Sequence, residues 1–183
     1  QGGVLDREGI DIGVVTGIVW VASCVVTFKG MPNHAGTTPM AMRKDALLAA
    51  AELVLAIPEH VRLRGGPGTV GTCGQLSVRP GGRNVIPGEA EMSIEVRDLD
   101  EAVWSDVMEG IRETAREAAK NRGLALELSS VSTNRGTMMD TRVQDLIERS
   151  ASSLGLRSRR MPSGAGHDAM NIAAVVPAGM IFV

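Results

Sequence analysis

Glu89-Ala90-Glu91-Met92-Ser93-Ile94-Glu95-Val96-Arg97 alternates without a break between polar and apolar residues. A period of two belongs to a β-strand, whose successive side chains point to opposite faces. Ala90, Met92, Ile94 and Val96 are therefore expected in a core, and Arg97 on the polar face. Asp100 follows in the N-cap position. Val103, Val107, Ile111, Ala115 and Ala118 then recur at helical spacing to about Arg122, where Gly123 supplies the stop. Residues 124–128 alternate again as a short strand. Upstream, the Val-, Ile- and Thr-rich run from Ile12 to Lys29 reads as two strands with a bend near Val19 and Trp20. A helix nearly apolar all round is expected over Met42 to Ile57, stopped by Pro58 and buried on two sides. Val70 to Val78 reads as a strand between turn clusters at 65–68 and 80–84.

Residues 20–132 thus read strand, helix, strand, strand, helix, strand. That order is the split βαβ, ferredoxin-like arrangement: a four-stranded antiparallel sheet with both helices on one face and the other face open. Beyond it, Asp140 to Leu154 has helical character and Arg157 to Met161 strand or loop character. A Gly-rich turn, Pro162 to Ala169, leads into a helix ending about Ala173, and Val175 to Val183 reads as a buried strand. These flanks have an α/β character. The expected organisation is an α+β lid, 20–132, inserted in an incomplete α/β domain of which 1–19 and 133–183 are the pieces. The start at Gln1 and the apolar end predict an internal fragment.

The chain has 183 residues, 44% hydrophobic, with 19 Lys and Arg against 21 Asp and Glu. Its mean hydropathy of +0.07 marks an ordinary globular composition. Aromatics are 2% and the formal charge is −2, which argues against base-stacking platforms and a phosphate-binding footprint. No nucleic-acid partner is expected. The one basic cluster, Arg157, Arg159 and Arg160, reads as solvated surface. Cys24 and Cys73 read as buried free thiols. No apolar run reaches the roughly 18 to 20 residues of a membrane span, and no signal-peptide pattern opens the chain, so no membrane partner and a cytoplasmic location are expected.

Three polar clusters could carry chemistry, and each has a plainer reading. His34 lies in the loop 30–40, where a histidine can simply bond locally. Arg97, with Asn84 nearby in sequence, suits either an anion or a cross-strand ion pair with Glu91 or Glu95. His167-Asp168 opens a helix, where Asp168 can serve as a cap accepting backbone N–H bonds. His60 reads as surface. The three histidines form no short-spaced metal-site pattern.

Gly30-Met31-Pro32-Asn33-His34-Ala35-Gly36-Thr37-Thr38-Pro39-Met40, Arg83-Asn84-Val85-Ile86-Pro87-Gly88, Glu95-Val96-Arg97-Asp98 and Ser163-Gly164-Ala165-Gly166-His167-Asp168-Ala169-Met170 occur in that order. Together they resemble the hydantoinase/carbamoylase branch of the M20 metallopeptidase-like amidohydrolases. That branch includes N-carbamoyl-L-amino acid hydrolases, allantoate amidohydrolases and β-ureidopropionases. Gln1-Gly2 resemble the end of the family's His-x-Glu-Gln-Gly motif, with Gly3 where Pro is usual.

The resemblance implies hydrolysis of the ureido C–N bond of a small ureido acid by a catalytic domain holding two divalent ions (Zn, Mn, Co or Ni). The ligands of those ions fall outside the four motifs, so the resemblance predicts neither a bound metal nor turnover for these 183 residues. It also implies a homodimer through the lid, and the helix near Met42 to Ile57, apolar beyond the single stripe one sheet can cover, is expected to form that contact with its adjacent edge strand. By the same resemblance His34 donates to the tetrahedral oxyanion, Arg97 grips the substrate carboxylate, and Asn84 adds a neutral hydrogen bond. Gln1, Gly164, Ala165, Gly166 and His167 complete the pocket. Two alternatives stay open: a dimerisation and substrate-clamp module without turnover, and an M20 aminoacylase or dipeptidase.

Overall fold

The structure, a computed structural model, describes residues 2–183. In chain order its elements are α1 (Gly2–Glu8), β1 (Ile12–Ile18), β2 (Trp20–Lys29), β3 (Asn33–His34), a 3₁₀ turn (Met40–Met42), α2 (Ala46–Arg64), β4 (Val70–Arg79), β5 (Val85–Ile86) and β6 (Glu89–Asp98). They continue with α3 (Glu101–Arg122), β7 (Ala125–Leu128), β8 (Ser132–Asn134), β9 (Thr137–Met138), α4 (Thr141–Ser153), β10 (Ser158–Ser163), α5 (Ala169–Ala173) and β11 (Ile181–Phe182). The chain forms two compact units. One is built from Ala22–Val96 with Ala102–Thr133, the other from the chain up to Val21 with Arg97–Glu101 and Asn134–Val183.

In the first unit the long strands lie in the order β4-β6-β2-β7, with β8 added beside β2. Numbered along the chain this is second, third, first, fourth, the split βαβ order, and β7 runs antiparallel to β2 with Phe28 opposite Leu126. Alternation places Ala22, Cys24, Val26 and Phe28 of β2, and Ala90, Met92, Ile94 and Val96 of β6, in the core. Both helices cover that same face. Cys24 Sγ touches Met108 Sδ of α3 at 3.6 Å, and a Cβ added to Gly71 of β4 would lie 2.8 Å from Val61 of α2. The helices also meet each other: Gly110 of α3 faces His60 and Arg64, either of which a Cβ would approach to 2.7 Å. Burial pushes the Cys24 thiol pKa up, against the lowering influence of Arg112.

Several local expectations are corrected here. The helix expected over Met42 to Ile57 starts at Ala46, where Asp45 caps it by accepting from Leu47 N–H, and runs through Pro58 to Arg64. Losing one ladder bond at Pro58 costs about 3 kcal/mol. Burial of Ile57 and the seating of Val61 on Gly71 offset that cost. The helix buries one stripe, Ala46, Ala49, Ala50, Leu53 and Ile57, rather than two sides. Leu48, Leu55 and Leu63 stand 49%, 79% and 63% exposed. His60 is half-buried, its Nε2 bonded to Thr114 Oγ1 at 2.8 Å. Desolvation first, then Arg64, lowers its pKa. Cys73, on the edge strand β4, is only half-buried.

In the second unit β1 is central: β10 pairs with it in parallel, β11 and β9 antiparallel. Val14, Val15 and Ile18 of β1 are fully buried. The basic cluster is matched by carboxylates, Arg159 with Glu8, Arg160 with Glu148 and Asp145, and Arg157 with Asp11. The buried strand expected over Val175 to Val183 shrinks to Ile181–Phe182. Val175 and Val176 instead donate to Ile172 O in the turn after α5, and Pro177 brings no N–H to a ladder.

Candidate active site

His34 lies on β3, which pairs antiparallel with β5 so that His34 faces Val85 and Asn33 faces Ile86. This pairing draws in Asn84, whose carbonyl accepts from Ala35 N–H at 2.8 Å. Both residues are exposed. The imidazole is fixed by its own loop: Gly36 N–H donates to Nδ1 at 3.0 Å. An Nδ1 that accepts carries no hydrogen, so the neutral ring holds its proton on Nε2. The loop around it is closely tied. Asn33 Oδ1 accepts from His34 N–H at 2.9 Å, and Thr38 Oγ1 donates to the His34 carbonyl at 2.8 Å. Arg43 donates through Nη2 to the Ala35 carbonyl at 2.6 Å and through Nε to the Thr38 carbonyl at 3.1 Å. Such an exposed ring can offer one N–H to a developing negative charge.

In the other unit Arg97, at the end of β6, donates through Nη1 to the Gly164 carbonyl at 2.6 Å. A cationic fork beside a Gly-rich turn can take a carboxylate by two parallel bonds. Gly164 is half-buried, while Ala165, Gly166 and His167 are exposed. Ser163 holds the turn from beneath. It is 2% exposed, its Oγ donates to the Ala165 carbonyl at 2.8 Å, and its carbonyl accepts from Val19 N–H at 3.0 Å.

His167, not Asp168, meets the start of α5, its Nδ1 accepting from Ala169 N–H at 3.1 Å. Asp168 makes no side-chain cap bond, because its backbone is already helical (φ −58°, ψ −21°) and a capping carboxylate needs extended geometry.

The residues read from the sequence thus fall into two local groups, His34 with Asn84, and Arg97 with Gly164, Ala165, Gly166 and His167. Gln1 lies outside the described residues. Arg43 and Ser163 were not legible as parts of either group. Arg43's signal is a cation just before a helix cap, and Ser163's is a hydroxyl in an apolar strand end, both common elsewhere. Among the described residues no group of three or more His, Cys, Asp or Glu comes together. His34 and His167 each use Nδ1 on a backbone N–H, and His60 uses Nε2 on Thr114. These side chains do not by themselves fit a divalent metal centre.

The peptidase dimerisation domain family matches residues 17–123. A ureidoglycolate hydrolase of Oryza sativa subsp. japonica is 43% identical over 184 residues, covering 100% of this chain and 38% of that protein. An N-carbamoyl-L-amino acid amidohydrolase of Geobacillus stearothermophilus is 39% identical, covering 100% of this chain and 44% of that protein. The chain therefore spans about two fifths of the length of these curated relatives. A crystal structure of an amidase of the hydantoinase/carbamoylase family from Burkholderia multivorans superposes with a TM-score of 0.94 at 34% identity, over 98% of this chain and 44% of that one. With its split βαβ unit matched by the dimerisation domain and its four motifs carried through both units, the chain belongs to the M20 family, in the hydantoinase/carbamoylase branch.

Proposed function

We propose that the protein carrying this chain hydrolyses the ureido C–N bond of an N-carbamoyl amino acid or a related ureido acid. The observation that carries the reading is the His34 ring, pinned at Nδ1 by Gly36 N–H so that Nε2–H is the donor. Attack on a carbamoyl carbon turns its oxygen into an oxyanion. A donor that is already oriented stabilises that charge more than it stabilises the ground state. Arg97 grips the substrate carboxylate, and Asn84 supplies a neutral hydrogen bond. The Gly164-Ala165-Gly166-His167 turn, tied to Arg97 through the Gly164 carbonyl, completes the carboxylate site. The family generally uses divalent metal ions. Since the described residues do not fit a metal centre, this chain's roles are substrate binding and charge stabilisation.

In this reading residues 20–132 form the lid, and 1–19 with 133–183 belong to the catalytic domain. The lid pairs with a second copy through α2 and the edge strand β4. The exposed Leu48, Leu55 and Leu63 of α2 support that pairing, since together they form an apolar stripe that no element of the same unit covers.

The test is a panel of ureido acids offered to the whole protein, with His34→Ala beside the wild type. Removing one oxyanion donor typically costs about 10²–10³ in kcat, with little change in KM. A His34→Ala protein with wild-type kcat would remove the donor role. Failure to cleave any carbamoyl or ureido acid would remove the substrate class.

A further inference from the structure

We propose that Arg43 is the positioning residue of the His34 loop, setting which ring nitrogen of His34 carries the proton. The kinetic part of the proposal rests on the donor role given to His34 above. The spectroscopic part does not.

The Ala35 carbonyl and the Gly36 N–H belong to one peptide group, which is planar and trans, so the two point in opposite directions. Arg43 Nη2 holds the carbonyl end at 2.6 Å, and the N–H end meets His34 Nδ1 at 3.0 Å. Fixing one end of a rigid plane fixes the other. A cation on the carbonyl also polarises the amide and strengthens its N–H as a donor. The second bond, Nε to the Thr38 carbonyl at 3.1 Å, prevents the guanidinium from swinging away with the peptide.

Arg43 is itself mounted on regular structure. Its own N–H donates to Met40 O at the end of the 3₁₀ turn, and Asp45, two residues on, caps α2. A lysine has no planar fork and cannot hold two carbonyls in a fixed relation. Gly36 lets the ring sit close to its own loop, since a Cβ there would stand 3.1 Å from His34 Cε1 and the ring would have to give by a few tenths of an ångström.

The experiment labels histidine with ¹⁵N in the 183-residue chain and reads ring tautomers by long-range ¹H–¹⁵N correlation. The chain has three histidines, which makes assignment by single substitution practical. Wild-type His34 is expected as the Nε2–H tautomer, and Arg43→Gln and Arg43→Lys both as a mixture. His167, whose Nδ1 is held by Ala169 N–H in the other unit, is unchanged and reports that the chain is folded. Thr38→Val removes a loop bond that does not touch the Ala35–Gly36 peptide, and leaves the tautomer as in wild type.

A His34 that keeps one tautomer in both Arg43 variants overturns the proposal, as does a Thr38→Val that disturbs the ring equally. Should both Arg43 variants fail to fold, the wild-type spectrum still decides: a ring protonated at Nδ1 overturns the geometry outright. In the whole protein Arg43→Lys is expected to lower kcat by about 10²-fold, the usual cost of a misplacement near 1 Å, at unchanged KM. A kcat loss in His34→Ala without one in Arg43→Lys would overturn the positioning role. No loss in His34→Ala would overturn the donor role alone.

Discussion

Replacing Gly30 with alanine should unseat the His34 loop at its base. A Cβ at Gly30 would lie 2.0 Å from the Lys44 carbonyl oxygen, 2.8 Å from Leu124 Cδ2 and 2.9 Å from Lys44 C. Ordinary contact begins at 3.4 Å, so the two backbone segments must separate by about 1.4 Å. Neither can yield cheaply. Gly30 N–H is bonded to the Gly88 carbonyl at 2.8 Å, Met31 N–H to that same Lys44 carbonyl at 3.0 Å, and Gly88 would itself meet Pro32 Cδ at 2.5 Å if it carried a Cβ. Overpacking costs typically about 1–3 kcal/mol, and loss of the Met31–Lys44 bond about 1 kcal/mol more. For a chain of this size such a loss corresponds to a fall in Tm of roughly 5–15 °C. Thermal and urea unfolding followed by circular dichroism measure it, with Gly74→Ala as the control. The Gly74 Cβ would meet nothing closer than Ser93 Oγ at 3.9 Å, so that variant should stay within about 0.5 kcal/mol of wild type. A Gly30→Ala chain with wild-type Tm and an unchanged His34 ring signal would refute the view that this close approach anchors the loop.

In the whole protein, Arg97→Lys should raise KM for carboxylate substrates and leave their carboxamide analogues little affected; equal losses for both would show that Arg97 does not read the carboxylate. His60 has a folded-state pKa below its ordinary 6.5, with Arg64, Glu113, Glu59 and Asp106 around it. Between the two values the unfolded chain binds the extra proton, so stability present above pH 6.5 is lost as pH falls. His60→Gln should flatten the decline in Tm between pH 7 and 5, and an unchanged slope would exclude His60 as its source. Leu55→Asp, on the exposed stripe of α2, should shift the sedimentation of the protein toward monomer with its circular dichroism spectrum unchanged, whereas an unchanged oligomeric state would place the dimer face elsewhere.

The fold was legible wherever one periodicity controlled one face. β6 alternates over nine residues, and the structure buries Ala90, Met92, Ile94 and Val96 accordingly. Of the apolar positions expected on α3, Val107, Ile111, Ala115 and Ala118 likewise come out in the core, while Val103 is half-buried. Helix α2 misled because its apolar residues are not confined to a stripe, so neither its burial nor its end could be read from the pattern. Pro58 looks like a stop in sequence, yet what carries the helix past it is a contact with Gly71, and such packing has no local signature. The same holds for His60, whose half-burial depends on Gly110 coming close from another helix. The last strand differs for the opposite reason: its hydrophobicity is plain, but Pro177 and Gly179, which sit inside the apolar run, decide the backbone.

His34 and His167 share a feature that spacing alone could have suggested. In each, Nδ1 accepts the backbone N–H of the second residue on, Gly36 in one loop and Ala169 in the other. The bond closes a small ring through the side chain, much as an Asx turn does. A cap or a metal-ligand reading treats both nitrogens of a histidine as equally available. Here one is already committed within the loop, in two separate units, so each ring offers only Nε2 outward. A group restricted in this way suits aiming a single N–H at a single oxygen, where the gain comes from orientation fixed before the charge develops. Tying the ring to its own backbone achieves that without a second side chain, and places the demand for precision on the peptide plane that supplies the N–H. For His34 that plane ends at Arg43.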